Sequence, residues 1–318
     1  MKPTCSIIIR AFNEERHIGR LLDGISQQTV KDVEVILVDS GSRDNTAAIA
    51  SEKGAKIVRI SPQEFTFGYS LNKGIAEASA DLVVIASAHV YPVYPDWLEK
   101  LLEPFRDDQV ALVYGKQRGA EKSQFSEQMI FCHWYGEESQ NPQNHPFCNN
   151  ANAAIRKSLW QVQPYDENLP GLEDLAWAKR VFEKGNRIVY SAEAEIVHVH
   201  DESWHGIHNR YLREGMAFKQ IYPQETFGLG EFLRTFFENA LHDLKQAAKE
   251  RKFFKEFVSV IRFRWLQFHG TFMGYKRSGP LTWQLKQSFY YPRGSAGQPA
   301  NGNSRGVEPI VYSDTQTK

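Results

Sequence analysis

The chain has 318 residues, 42% hydrophobic and 24% charged, a composition that suits one large α/β domain with an appendage. Its 38 Lys and Arg balance 38 Asp and Glu, so there is no net field to attract a polyanion, and nucleic acid is not an expected partner. Cys5, Cys132 and Cys148 are too few and too scattered for a disulfide framework or a four-ligand zinc site.

Met1 to Thr4 run straight into a β-branched stretch with no signal-type apolar core. No window approaches the ~18 consecutive apolar residues of a membrane span, so the expected location is cytoplasmic. Ser6–Arg10 reads as a strand, Glu15–Gln27 as a helix with Ile18, Leu21, Leu22 and Ile25 at helical spacing, and Val33–Asp39 as a second strand. The alternation continues with a helix over Thr46–Lys53, a strand over Lys56–Ile60, a helix over Tyr69–Ala78 and a strand over Leu82–Ala86. A helix over Asp96–Phe105 and a strand over Val110–Tyr114 complete it. This rhythm predicts a mostly parallel, doubly wound sheet flanked by helices.

From Lys116 to Asn150 the pattern loosens into a polar and aromatic stretch that suits a substrate-facing loop or short helices better than a sheet. Beyond it, Ala151–Ile155 reads as a strand, Glu173–Lys184 as a helix ended by Gly185, and Arg187–Tyr190 and Ile196–Val199 as two short strands. After Glu225 long helical patterns begin. Between Arg251 and Arg277 seven Lys or Arg stand against Glu256 alone, interleaved with aromatics such as Phe254, Phe263 and Trp265. Two readings are open for that segment: an amphipathic helix on an anionic membrane surface, or a helix packed on the catalytic domain with its cations in water. The expected division is a catalytic domain over 1–225, a helical basic-aromatic extension over 226–292 and a disordered tail over 293–318.

In open α/β sheets ligands bind beyond the carboxyl ends of the strands. Three polar clusters lie there: Arg10-Ala11-Phe12-Asn13-Glu14-Glu15, Asp39-Ser40-Gly41-Ser42-Arg43-Asp44-Asn45-Thr46, and Ser87-Ala88-His89. Asp39 at a strand tip can accept hydrogen bonds from a base or ribose, and the small residues after it let a nucleotide approach the backbone. A simple capped turn is the plainer alternative.

The first two clusters, with the strands Ser6–Arg10 and Val35–Asp39 that lead into them, resemble the opening of the family 2 glycosyltransferases, which have the GT-A fold. The resemblance continues through Leu71-Asn72-Lys73-Gly74-Ile75, Asp81-Leu82-Val83-Val84 and Leu172-Glu173-Asp174-Leu175-Ala176-Trp177-Ala178, covering about residues 4 to 220. It implies a Rossmann-like GT-A domain, an inverting enzyme with a nucleotide-sugar donor, and a nucleotide held by Ala11, Asn13, Glu14 and Asp39. It also implies that Asp174 is the base and Glu173 a supporting acid at the positive end of a helix.

Ser87-Ala88-His89 stands where the family usually has Asp-x-Asp, which holds a divalent cation such as Mn²⁺ or Mg²⁺ on the donor diphosphate. Three roles are open for His89: metal ligand, hydrogen-bond donor, or imidazolium against the diphosphate, with Ser87 beside it. In Ile196-Val197-His198-Val199-His200 the two histidines share a strand face. Similar His-x-His segments occur in the bacterial rhamnosyltransferase-like members, where a His completes the metal site, and His198 or His200 is therefore a candidate partner for His89. A surface hydrogen-bond network is the plainer reading of the pair.

Phe147–Arg156 resembles the stretch entering the acceptor side of the same cleft. It makes Asn150 and Asn152 candidates for sugar hydroxyls, with Trp134 a candidate for stacking on a sugar ring. Trp204, His205, Arg210, Tyr211 and Arg213 are candidates for an ordered lid. The expected acceptor is a cell-surface polysaccharide or its lipid-linked precursor, reached at the inner face of a membrane. Two rival functions share the fold: a non-catalytic nucleotide- or glycan-binding protein, and a sugar nucleotidyltransferase. The second lacks the Gly-rich phosphate loop such enzymes carry.

Overall fold

The structure is a computed structural model that describes residues 2–277 and 306–312. One mixed sheet contains β1 (Cys5–Ala11), β2 (Val33–Asp39), β3 (Lys56–Arg59), β4 (Leu82–Ser87), β5 (Val90–Pro92), β6 (Val110–Gly119), β7 (Asn152–Arg156) and β8 (Arg187–His198). Its order is β3-β2-β1-β4-β7-β6-β8-β5. The helices are α1 (Ile18–Ser26), α2 (Thr46–Glu52), α3 (Phe67–Ala76), α4 (Trp97–Leu102), α5 (Phe125–Trp134), α6 (Lys157–Val162), α7 (Glu173–Glu183), α8 (Trp204–Ile221), α9 (Leu229–Lys249) and α10 (Phe253–Lys276).

The triplet Ile7-Ile8-Ile9 shows why β1 is central. Side chains alternate across a strand, so Ile8 enters one core with Val38, Leu71 and Trp177, while Ile7 and Ile9 enter the other with Ile18, Leu21 and Trp97. Burial on both faces explains the continuous apolar run.

Register then sets the site. β1 pairs in parallel with β2 and β4, so Ala11 lies opposite Asp39 and Arg10 opposite Ser87, which places three strand tips side by side. β7 runs antiparallel between β4 and β6. Because it is reversed, its first residue Asn152 pairs with Ala86, and the loop before it opens on the same edge as those tips. β8 reaches that edge from the other side, with His198 opposite Val90.

Two local differences from the sequence reading, in β8 and β5, have simple causes. β8 is one 12-residue strand rather than two: its two halves pair with β6 on either side of a register shift, and residues 192–195 carry the strand across it. α5 is one of the short helices expected as an alternative to a loop in the 116–150 stretch, its position hidden because apolar residues surround the helix. β5 is three residues long and gave no periodicity.

The helices after residue 203 form a layer of their own. Phe232, Phe236, Ala240 and Leu244 of α9 bury against Val260 of α10 and Phe125 of α5. α8 and α10 cross at glycines: a Cβ at Gly270 would lie 2.7 Å from the His208 carbonyl, and one at Gly215 2.7 Å from that of Thr271. Of the two readings open for α10, these contacts support the helix packed against its neighbours. Phe263 is fully buried, and Arg264 is buried in a two-pronged pair with Asp243 at 2.7 and 2.9 Å.

Part of the expected disordered tail is docked. Ile310 donates its N–H to the Val93 carbonyl at 2.9 Å, and the Tyr312 hydroxyl donates to the Pro92 carbonyl at 2.6 Å. Val307 and Tyr312 supply the apolar surface, against Tyr91 and Val93, that polar composition concealed. The rest of that expectation, and the end of the extension from 278 to 292, fall outside the described residues.

Candidate active site

The first wall is made of two loops tied to each other. Asn13 donates its N–H to Ser42 Oγ at 2.9 Å and accepts the Arg43 N–H on Oδ1 at 2.9 Å. Glu14 N–H donates to Thr46 Oγ1 at 2.7 Å, and Glu15 Oε2 accepts Asn45 N–H at 3.1 Å. Asn13 takes a left-handed φ of 55°, which Asn tolerates, and Gly41 turns with φ 91° where a Cβ would strike Pro62. Asp39, nearly buried, accepts Ser42 N–H at 3.2 Å. The loops leave a rigid shelf at the tips of β1 and β2, with Ala11 and Asp39 at its base.

Beside the shelf stands a histidine cluster. His89 and His198 have ring centroids 5.2 Å apart, and His198 and His200 4.1 Å apart. One ring nitrogen from each of the three lies within 4.8 Å of the others. His89 Nδ1 bonds Glu14 Oε1 at 2.8 Å, His198 Nδ1 bonds Gln117 Oε1 at 2.8 Å, and His200 Nδ1 bonds Glu127 Oε1 at 2.6 Å. Ser87 Oγ is 3.2 Å from His89 Nε2. Burial opposes charge on His89, but the Glu14 carboxylate outweighs it and raises the pKa. Burial, together with His200 and His89, drives His198 well below the ordinary histidine range and keeps it neutral.

Glu127 is the electrostatic hub behind this cluster. Burial would push its carboxyl up, but Arg210 at 2.6 Å and His200 hold it down to about 2. Arg210 also reaches Glu202 at 2.8 Å. The expected lid is thus corrected in part: Arg210 is consumed in buried ion pairs and Tyr211 packs on Phe263, so α8 at these residues is a packed helix.

The acids close the other side. Leu172 caps α7 with φ 53°, a strained value for a branched side chain, and Glu173 and Asp174 follow in the first turn. Asp174 Oδ1 accepts Leu175 N–H at 2.8 Å and Oδ2 accepts Asn150 N–H at 3.0 Å. Burial, then the neighbouring Glu173 charge, push Asp174 up to about 7. Glu173 Oε1 instead faces Arg10 Nη1 at 3.2 Å, and Arg10 in turn covers the ring of Phe67. The two adjacent carboxyls therefore have different surroundings, as suits one proton acceptor and one ion-paired support.

Two acceptor assignments need correcting. Asn152 is fully buried and spends its side chain on Trp97 Nε1 at 2.8 Å and on the carbonyls of Lys116 and Ala194, so it builds the core. Asn150 is also buried, its amide between Glu173 Oε1 and the Tyr165 hydroxyl, both at 3.4 Å, where it orients the acids. Trp134 remains exposed at the end of α5, edge-on to Phe147. Sequence reading missed Gln117 and Glu127, because a lone Gln in a strand and a lone Glu in an unpatterned stretch carry no signal of what they hold.

Residues 6–162 match the family model described as Glycosyl transferase family 2. Over 226 residues the chain is 28% identical to the O-antigen chain rhamnosyltransferase WbaN of Salmonella anatum, spanning 67% of this chain and 72% of that one. The O-antigen chain rhamnosyltransferase RfbN of Salmonella typhimurium is 26% identical over 224 residues, 66% of this chain and 71% of its own. Among solved structures, the mannosyltransferase PcManGT from Pyrobaculum calidifontis, in complex with GDP-Man and Mn²⁺, superposes with a TM-score of 0.59 at 16% identity, covering 87% of this chain and 88% of that one. Glucosyl-3-phosphoglycerate synthase from Mycobacterium tuberculosis, with Mg²⁺ and UDP, gives 0.53 at 18% identity over 71% and 82%. At these identities the superpositions speak for the fold.

Proposed function

We propose that this chain, which belongs to the family 2 glycosyltransferases and is an enzyme with their GT-A fold, transfers its sugar with inversion to a hydroxyl of a cell-surface polysaccharide or lipid-linked glycan precursor. The observation that carries the reading is the convergence, on one sheet edge, of the Asp39 shelf, the histidine cluster and the Glu173–Asp174 helix start. The nucleotide of the donor rests on Ala11 to Glu14 and Asp39. Asp174 takes the proton of the acceptor hydroxyl, whose oxygen attacks the anomeric carbon as the bond to the diphosphate breaks. A carboxyl near 7 suits that task at neutral pH, being deprotonated yet basic. Arg10, 3.2 Å from Glu173 Oε1, engages the second carboxylate and sets it apart from the proton transfer.

The residues fit a divalent cation, since each clustered histidine has its Nδ1 held by an acceptor and turns Nε2 toward the cluster, with Ser87 Oγ beside that of His89 and those of His198 and His200 facing each other. His89, His198 and His200 would hold that ion, which when bound offsets charge on the leaving diphosphate. The Mn²⁺ and Mg²⁺ carried by the two solved neighbours support it.

That the Salmonella relatives act on O-antigen chains supports the acceptor class. Among the described residues no helix is long and apolar enough to cross a membrane. A peripheral contact is supported by Leu229, Leu233, Phe237 and Leu241, which recur every four residues along α9 and are exposed. Exposed Arg234, Lys245 and Lys249 lie on α9 as well and exposed Arg262 on α10, as an anionic lipid surface requires.

Nucleoside diphosphate release from UDP-, GDP- and dTDP-sugars, with a polyprenyl-linked acceptor, tests the reading. Asp174→Asn should keep donor binding and lose release. Normal release from that variant removes Asp174 from the mechanism, and a wild-type protein that neither binds nor consumes any donor removes the enzyme.

A further inference from the structure

Of the features outside the acid pair, the histidine cluster is the one whose partners specify a ligand. Each Nδ1 faces an oxygen acceptor: Glu14 Oε1, Gln117 Oε1 and Glu127 Oε1, at 2.8, 2.8 and 2.6 Å. A ring whose Nδ1–H is donated in this way presents a bare lone pair on Nε2. His198 Nε2 and His200 Nε2 then face each other at 3.0 Å. Two lone pairs at that distance repel unless positive charge lies between or beside them. At metal–nitrogen bonds of about 2.0–2.1 Å in a tetrahedron, two ligand nitrogens stand roughly 3.3 Å apart.

We infer that His89, His198 and His200 form an all-imidazole site selective for a borderline transition cation of the Co²⁺ and Zn²⁺ class over Mg²⁺, with Glu14, Gln117 and Glu127 as positioning residues that fix which ring nitrogen faces the ion. The inference rests on the reading that these residues lie at the donor diphosphate. Its chemistry follows from the donor set. Mg²⁺ seeks oxygen, whereas imidazole suits the later first-row ions. The nearby carboxylates are turned to other work: Glu14 and Glu127 hold rings, and Glu202 lies at 2.8 Å from Arg210. For the same reason the neighbouring group Glu127, His200 and Glu202 is not the ion's seat, since Arg210 already bridges both its carboxylates. A proton shared between His198 and His200 would satisfy that pair alone. It leaves unexplained why a third ring is brought in from the turn between β4 and β5 and held by its own carboxylate.

The experiment is titration of the metal-stripped, full-length protein with Co²⁺, Zn²⁺ and Mg²⁺, following Co²⁺ by its visible absorption. Co²⁺ and Zn²⁺ should bind at least about tenfold more tightly than Mg²⁺. Glu14→Gln and Gln117→Leu should each weaken Co²⁺ by about 10–100-fold and move its absorption bands, with near-ultraviolet circular dichroism showing that each metal-free variant is folded. Glu14 is partly exposed, so the first variant stands if the second fails to fold. Mg²⁺ binding as tight as Co²⁺, or Co²⁺ bands that His198→Ala leaves unchanged, overturns the inference, as does a stripped protein that takes up no metal. Nucleoside diphosphate binding in the same samples separates the cases: if it persists without the selectivity, the donor-site reading survives and only the cation assignment falls.

Discussion

Replacing Asp174 by Asn should slow transfer and at the same time change how stability depends on pH. The carboxyl is 9% exposed, and its pKa is raised from an ordinary 3.8 to about 7 by burial and by Glu173. A carboxyl raised in the folded state stabilises the fold while it is protonated. That contribution is complete below about pH 4 and is lost as pH rises through about 7. The loss is roughly 4 kcal/mol at about 1.4 kcal/mol per pH unit. Asn carries no charge to desolvate, but it can accept only one of the two backbone N–H groups, of Asn150 and Leu175, that Asp174 now accepts. Leaving the other without an acceptor costs about 1–3 kcal/mol. Asp174→Asn should therefore stand within about 1 kcal/mol of the parent at pH 5, where more than about 1 kcal/mol of that loss has already occurred, and be more stable by about 1–3 kcal/mol at pH 8, while turnover falls by about 10²–10⁴-fold. Urea unfolding of both proteins at pH 5 and pH 8, alongside donor consumption at pH 8, measures both effects. A stability difference that does not change with pH would refute the claim that burial loads this carboxyl.

His89→Ala should weaken metal-dependent nucleoside diphosphate binding at least about tenfold by calorimetry, the least expected when an ion's ligand is removed. Asn152→Ala should destabilise the fold by about 2–4 kcal/mol in urea, because it strands the Trp97 indole N–H and two buried carbonyls, while KM for the acceptor stays unchanged. Glu127→Ala should cost about 3–5 kcal/mol in urea, since it leaves Arg210 and His200 without their shared buried carboxylate. Leu233→Asp with Phe237→Asp on exposed α9 positions should abolish co-sedimentation with anionic vesicles and leave stability within about 0.5 kcal/mol.

The legible parts of this molecule are those whose information is local. Ile7 to Ile9 and Ile36 to Val38 announce strands buried on both faces, and the carboxylate and small residues after Asp39 announce a tip that can receive a ligand. The histidine pair was legible because strand alternation, carried just past the end of β8 at His198, puts His198 and His200 on one side. What stayed hidden depends on strands distant in sequence. Nothing within Asn150 to Asn152 says that β7 runs backwards between β4 and β6, and that reversal turns Asn152 into the core and leaves Asn150 beneath the acids. Gln117 and Glu127 acquire meaning only once β6 and α5 bring them behind the histidines. The aromatic run of α10 left two readings open for the same reason, because amphipathic surface helices and helices packed between neighbours share a composition, and the contacts with α8 and α9 favour the second.

Calorimetric titration of the full-length protein with UDP, GDP and dTDP, in the parent and in Asp39→Ala, tests the central claim most directly. The account predicts that one of the three binds the parent, that it binds Asp39→Ala at least about tenfold more weakly for want of a buried charged acceptor, and that it matches the donor consumed in turnover. Failure of all three to bind the parent, or equal binding by Asp39→Ala, would contradict the assignment of the donor site to the tips of β1 and β2.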